Sequence, residues 1–207
     1  MVGPEGLSLM LYDDPELVRE MMAWRREMVR RNWAPVIERL RPEIIELSED
    51  LCYKNGMLLS PGQFEEFFGS FYDEVHALAQ AGGVDVLAVD SDGNVMEFAD
   101  LAVAHGVNCL YPCEVKAGND LFELRRRHPR LILCGWLEKE VVNEGNEDRI
   151  EPELRAKVPP LLEAGGYLPN LDHGLQPMAT FANICQLLSL LHEMTGNPTG
   201  AFPRTGA

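Results

Sequence analysis

The chain has 207 residues, 46% of them hydrophobic and 25% charged, and a formal net charge of −15. That length and apolar content suit one domain with a substantial core and exclude a disordered chain, while the acidic excess excludes a surface that tracks nucleic-acid phosphates with clustered Lys and Arg. No stretch approaches the roughly 20 apolar residues of a membrane span, the first residues lack a basic-then-apolar signal pattern, and the cysteines lack zinc-ribbon spacing, so reduced thiols and a cytoplasmic location are expected.

Asp13-Asp14-Pro15-Glu16 opens a helix by N-cap and early-proline logic, and apolar residues from Leu17 to Val29 recur at helical spacing to about Arg31. A second short helix is predicted over 34–40, then a strand over 43–47. Ser60-Pro61 caps a helix that carries Phe64, Phe67, Phe68, Phe71, Val75 and Leu78 and stops at Gly82-Gly83. Val84-Asp85-Val86-Leu87-Ala88-Val89 is the clearest buried strand. Helix 96–104, strand 107–111, helix 120–127, strand 131–134, helix 147–164, strand 167–171 and helix 180–194 follow. The basic run Arg125-Arg126-Arg127-His128 falls at a helix end, where cations complement the dipole. The expected organisation is a single domain over 1–195 with a flexible Gly- and Pro-rich tail over 196–207.

Strands separated by helices demand crossover connections and a parallel sheet. The fold class is therefore α/β, either an open doubly wound sheet or a (β/α) barrel. No Gly-rich dinucleotide fingerprint follows any strand, which disfavours the first, and about five strand-helix units fall short of a full eight-unit barrel, so either the barrel is incomplete or the fold is smaller.

Each strand ends in a polar cluster: Ser48-Glu49-Asp50, Asp90 to Asn94, Glu114-Val115-Lys116, Glu138-Lys139 and Asp172-His173. Ligands of parallel α/β folds bind at the carboxyl ends of the strands, so these clusters are expected to meet in one pocket. Asp50, Asp92, Glu114 and His173 are the candidate catalytic set, because crowded carboxylates push one another's pKa apart and yield a proton donor beside a proton acceptor. Glu49, Asn94, Lys139 and Asp172 are candidate substrate contacts. Asp90, Asp92, Glu114 and His173 also form a candidate oxygen-rich site for a divalent metal such as zinc. Against these stand plainer roles: Asp92 or Asp120 as helix caps, Asp172 as the residue that orients His173, Cys109 and Cys113 as small buried hydrophobes, and His76, His105 and His192 as structural.

The segments Glu49-Asp50-Leu-Cys-Tyr-Lys-Asn-Gly56, Leu59-Ser60-Pro61 with Phe64-Glu-Glu-Phe67, Asp92-Gly93-Asn94, Glu114-Val-Lys-Ala-Gly118 and Gly166-Tyr-Leu-Pro-Asn-Leu-Asp-His173 resemble the carboxy-terminal part of the uroporphyrinogen decarboxylase superfamily, which includes corrinoid-dependent methyltransferases. The resemblance implies a (β/α)8 TIM-type barrel of which this chain holds roughly the last five strands, with the substrate-gripping Arg-rich segment and Asp of the decarboxylases in the absent portion. His173 resembles their carboxy-terminal substrate-site histidine. In the methyltransferase branch a His-x-Cys and a later Cys bind zinc; here Asp90-Ser91-Asp92 and His173 stand in those places, a harder donor set. The implied activity is acid/base chemistry on a tetrapyrrole-related or carboxylated small molecule. The alternatives are methyl transfer with a corrinoid protein as partner and an altered metal site, or a non-catalytic barrel fragment. A homo-oligomer, without nucleic-acid or membrane partners, is expected.

Overall fold

In the computed structural model, which describes residues 3–196, Asp14 caps a helix through its carboxylate, which accepts from the Leu17 N–H at 3.3 Å. The helices begin with α1 (Gly3–Asp13), which no sequence signal announced, and α2 (Pro15–Leu40). The two helices predicted over this stretch are one. Pro35 sits inside it at a cost of one backbone hydrogen bond, but Val18, Met22, Val29 and Ile37 lie buried on both sides of the proline, so the packing carries the helix through.

Strand β1 (Ile44–Ser48) follows, then a small hairpin of β2 (Cys52–Tyr53) and β3 (Gly56–Met57). A capping box between Ser60 and Gln63 starts α3 (Pro61–Gln63), and a π-helical turn over Phe64–Gly69 continues into α4 (Ser70–Gly82). Phe64, Phe67, Phe68 and Phe71 are all buried there, as core residues. The rest is β4 (Val86–Ser91), α5 (Phe98–Ala104), β5 (Cys109–Pro112), α6 (Leu121–Arg127), β6 (Ile132–Leu137), a 3-10 turn (Lys139–Val142), α7 (Glu147–Ala164), β7 (Tyr167–Leu171) and α8 (Phe181–Thr195). Apart from Gly196, which ends α8, the predicted tail lies outside the described residues.

Strands β1, β4, β5, β6 and β7 form one parallel sheet in chain order. A doubly wound sheet reverses its strand order at a switch point; this one does not, and it matches an incomplete barrel of TIM type. The register sets Leu47, Val89, Leu110, Leu133 and Tyr167 side by side in one buried row. Because side chains alternate along a strand, the next row, Ser48, Asp90 and Tyr111, points to the other face together with Glu46. The fold thus has an apolar face under its helices and a polar face opening toward the carboxyl ends of the strands.

The basic run plays more than a surface role. Arg126 and Arg127 pair with Glu123 and Asp100, but Arg125 is buried and donates to the carbonyls of Pro129 and Gly166, both at 2.9 Å, which ties the end of α6 to the start of β7.

Candidate active site

Three of the predicted residues meet. His173, just past β7, places Nε2 3.1 Å from Asp92 Oδ1 and 3.2 Å from Glu114 Oε1, carboxylates that follow β4 and β5. Among the described residues this is the group of three whose potential ligand atoms lie within 4.8 Å of one another. All three are partly exposed, whereas His173 Nδ1 is buried without a hydrogen-bond partner.

Backbone geometry puts each of them there. After β4 the chain turns at Gly93, whose φ of +82° and approach to the Tyr53 backbone leave no room for a Cβ: one would sit 2.5 Å from Tyr53 N. Asn119, buried behind the loop, donates to the carbonyls of Gly93 at 2.8 Å and Glu114 at 2.9 Å and accepts from Val95 N–H at 2.8 Å, so a single amide clamps the β4 and β5 loops together. Asp172 does the same for the next pair. It is 2% exposed, and its carboxylate accepts from Val115 N–H at 2.9 Å and Lys139 N–H at 3.1 Å.

The remaining predicted residues divide into neighbours and supports. Asp50 Oδ1 accepts from Asp92 N–H at 3.4 Å and so stands beside the trio. Asp90 sits one row below, outside the three-ligand group; burial raises its pKa above the usual carboxylate range, and the charges of Asp92, Glu46 and Asp50 add to that against the opposing effect of His173. Glu49 is buried against the Arg25 guanidinium. Asn94 is taken up by the loop itself: its side-chain oxygen accepts from Met96 N–H at 3.1 Å and its amide donates to Ala117 O at 2.9 Å. Lys139 enters through its backbone N–H, and its ammonium acts on Glu140.

The plainer alternatives also resolve. Asp120 is a helix cap, accepting from Phe122 and Glu123 N–H, whereas Asp92 does not cap α5, whose N-cap position is Glu97 and carries no side-chain cap. Cys109 and Cys113 are buried free thiols; burial pushes the Cys109 pKa up to about 12 and raises that of Cys113 as well. His105 packs at the end of α5 between Asp73 (2.7 Å) and Glu65 (3.0 Å). Asn119, Glu46 and Tyr111, whose hydroxyl hydrogen-bonds Glu46 on the open face, were not singled out in the sequence. The alternation that put Glu46 on the Asp90 face was the available signal for it.

A family model described as uroporphyrinogen decarboxylase (URO-D) matches residues 1–194. The chain belongs to the uroporphyrinogen decarboxylase family. Members of that family are generally enzymes, decarboxylases or related methyltransferases. No curated protein matches the chain. Among the described residues no helix is long and apolar enough to cross a membrane.

Proposed function

We propose that this chain is a uroporphyrinogen decarboxylase-family enzyme that performs proton transfer on a carboxylated, tetrapyrrole-related small molecule, with His173 as the proton carrier. The observation that carries this reading is one imidazole nitrogen within hydrogen-bond distance of two carboxylates from two other strands. Asp92 and Glu114 stabilise the imidazolium, whose Nε2–H is the proton delivered to the carbon left electron-rich when carbon dioxide departs. The test is mass spectrometry of carboxylated tetrapyrroles incubated with the protein. Loss of carbon dioxide that His173→Ala abolishes is the expected result, and no loss from any of them with the unaltered protein refutes the reading.

The ligand spacing favours a second reading. Donor atoms bound tetrahedrally at about 2.0 Å from one zinc ion are separated by about 3.3 Å, close to the 3.1 and 3.2 Å seen here. Two carboxylates and an imidazole are a hard donor set suited to a divalent ion. Asp92, Glu114 and His173 would hold it, and it would supply Lewis acidity. The outer shell fits less well, because a metal on Nε2 leaves the proton on Nδ1, where histidine ligands normally donate to an acceptor and His173 has none. Calorimetric titration with zinc decides. One ion per chain, lost in Glu114→Gln, selects the metal reading; no bound zinc, with metal analysis of the dialysed protein agreeing, refutes it.

A further inference from the structure

Strand β6 breaks the alternation that its neighbours keep. Leu133 lies in the buried row under the helices and half-buried Cys134 alternates onto the open face, so Trp136 is due on the open face as well. Instead Gly135, Trp136 and Leu137 are all buried. The backbone makes the change. Gly135 has a φ of +100° and Trp136 one of +64°, left-handed values that a bulky residue adopts only under constraint. Glycine is required at 135, because a Cβ there would lie 1.9 Å from the Pro112 carbonyl oxygen. Pairing with β5 ends at Leu133, while pairing with β7 runs on to Leu137.

Several polar contacts hold the turned strand. The Trp136 indole Nε1–H donates to the Asn119 carbonyl at 2.7 Å, and its ring meets Phe122 of α6 edge-on at 5.2 Å between centroids. The Tyr167 hydroxyl donates to the Gly135 carbonyl at 2.8 Å. From α7, Lys157 donates to the Trp136 carbonyl at 2.9 Å and lies over the indole, 4.5 Å from the ring centroid. Its side chain is 12% exposed and pairs with Glu153, which in turn accepts from the Glu138 N–H at 2.9 Å. Helix α7 therefore grips β6 on both sides of Leu137.

Two consequences reach the site. Strand β6 lies between β5 and β7, so an indole on the open face at its carboxyl end would stand between Glu114 and His173; turning it away leaves their 3.2 Å contact clear. The residue the indole holds, Asn119, is also the one whose amide ties the Gly93 and Glu114 carbonyls. We infer that Trp136 and Lys157 are positioning residues for Asp92, Glu114 and His173, acting through the β6 backbone and Asn119. The inference deepens the reading of that trio as the reactive group and takes its functional meaning from it. Backbone strain fixed by polar contacts beside a site is the form such positioning takes.

Hydrogen exchange followed by mass spectrometry on the 207-residue chain is the test. Trp136→Phe keeps a ring and removes the N–H. The expected result is exchange about three- to tenfold faster in segments 93–96 and 115–119, the effect of one lost hydrogen bond, with α2 and α8 unchanged. Unchanged exchange in those segments, or an equal rise throughout the chain, overturns the inference. Lys157→Met should give the same local pattern and Lys157→Arg should restore protection, a reading that stands should Trp136→Phe fail to fold; a Met variant that exchanges like the parent overturns the role of α7. On a tetrapyrrole that the parent decarboxylates, Trp136→Phe should lower kcat about tenfold with KM unchanged. A parent without that activity defeats the function proposed for His173, whereas the exchange pattern alone decides the positioning.

Discussion

Asp172 is the residue whose replacement tests the site's construction most directly. Its carboxylate is 2% exposed and accepts two backbone N–H groups, from Val115 and Lys139, each on a loop that follows a different strand. Hydrogen bonds to a charged acceptor contribute about 1.5–3 kcal/mol apiece, and a buried donor left unpaired costs a similar amount. Asp172→Ala loses both, so it should destabilise the fold by about 3–6 kcal/mol, enough to unfold a protein with a typical margin of about 5–15 kcal/mol at the low end. Asp172→Asn is the informative variant. It keeps one oxygen acceptor but turns an NH2 toward the other N–H, for a loss of about 2–3 kcal/mol and, at about 2–4 °C per kcal/mol for a chain this size, a fall in Tm of roughly 4–12 °C. Because Val115 adjoins Glu114 and Asp172 adjoins His173, the same change should spread the trio. A double-mutant cycle between Asp172→Asn and Glu114→Gln, followed by urea unfolding, should show a coupling of about 0.5 kcal/mol or more. A loss under about 1 kcal/mol for Asp172→Ala, or strict additivity in the cycle, would refute the claim that this carboxylate holds the site together.

Three further outcomes follow from the same geometry. Burial disfavours charge on His105, but the hydrogen bonds to Asp73 and Glu65 outweigh it and the pKa is raised. The stability gap between the protein and His105→Gln should therefore be full below about pH 6.5 and shrink as pH rises through the higher folded-state pKa. A gap in urea midpoints that does not change with pH removes that clamp. Gly93→Ala, at positive φ against the Tyr53 backbone, should cost at least about 2 kcal/mol by chemical denaturation, and a neutral effect would mean the β4 turn is not the one described. Asp90 has a raised pKa, so its ionised form opposes folding; Asp90→Asn should stabilise the protein at neutral pH, with the gain fading as pH falls through the folded-state pKa, and thermal melts showing destabilisation at neutral pH would contradict it.

Why three clusters of the five meet could not be read from the strand ends alone. The strands were legible because each is an apolar run set off by glycines or polar residues, and consecutive parallel order then brings their carboxyl ends to one rim. On that logic Glu138 and Lys139, after β6, stand nearer His173 in strand order than Asp92 does. They are diverted. Glu138 turns to Arg149 on α7 at 2.7 Å, and the Lys139 N–H is taken by Asp172. Both diversions depend on a helix and a buried carboxylate far along the chain, which no local pattern announces, and the same is true of Asn119, whose amide bridges loops ending two different strands. Local periodicity also misjudged α2, since a proline that breaks an isolated helix is overridden where packing holds both halves. A strand end supplies a residue to the rim; the buried side chains behind it determine whether that residue turns inward. Asp172 and Asn119, spanning the β4, β5 and β6 loops, fix the backbone from which Asp92 and Glu114 reach His173.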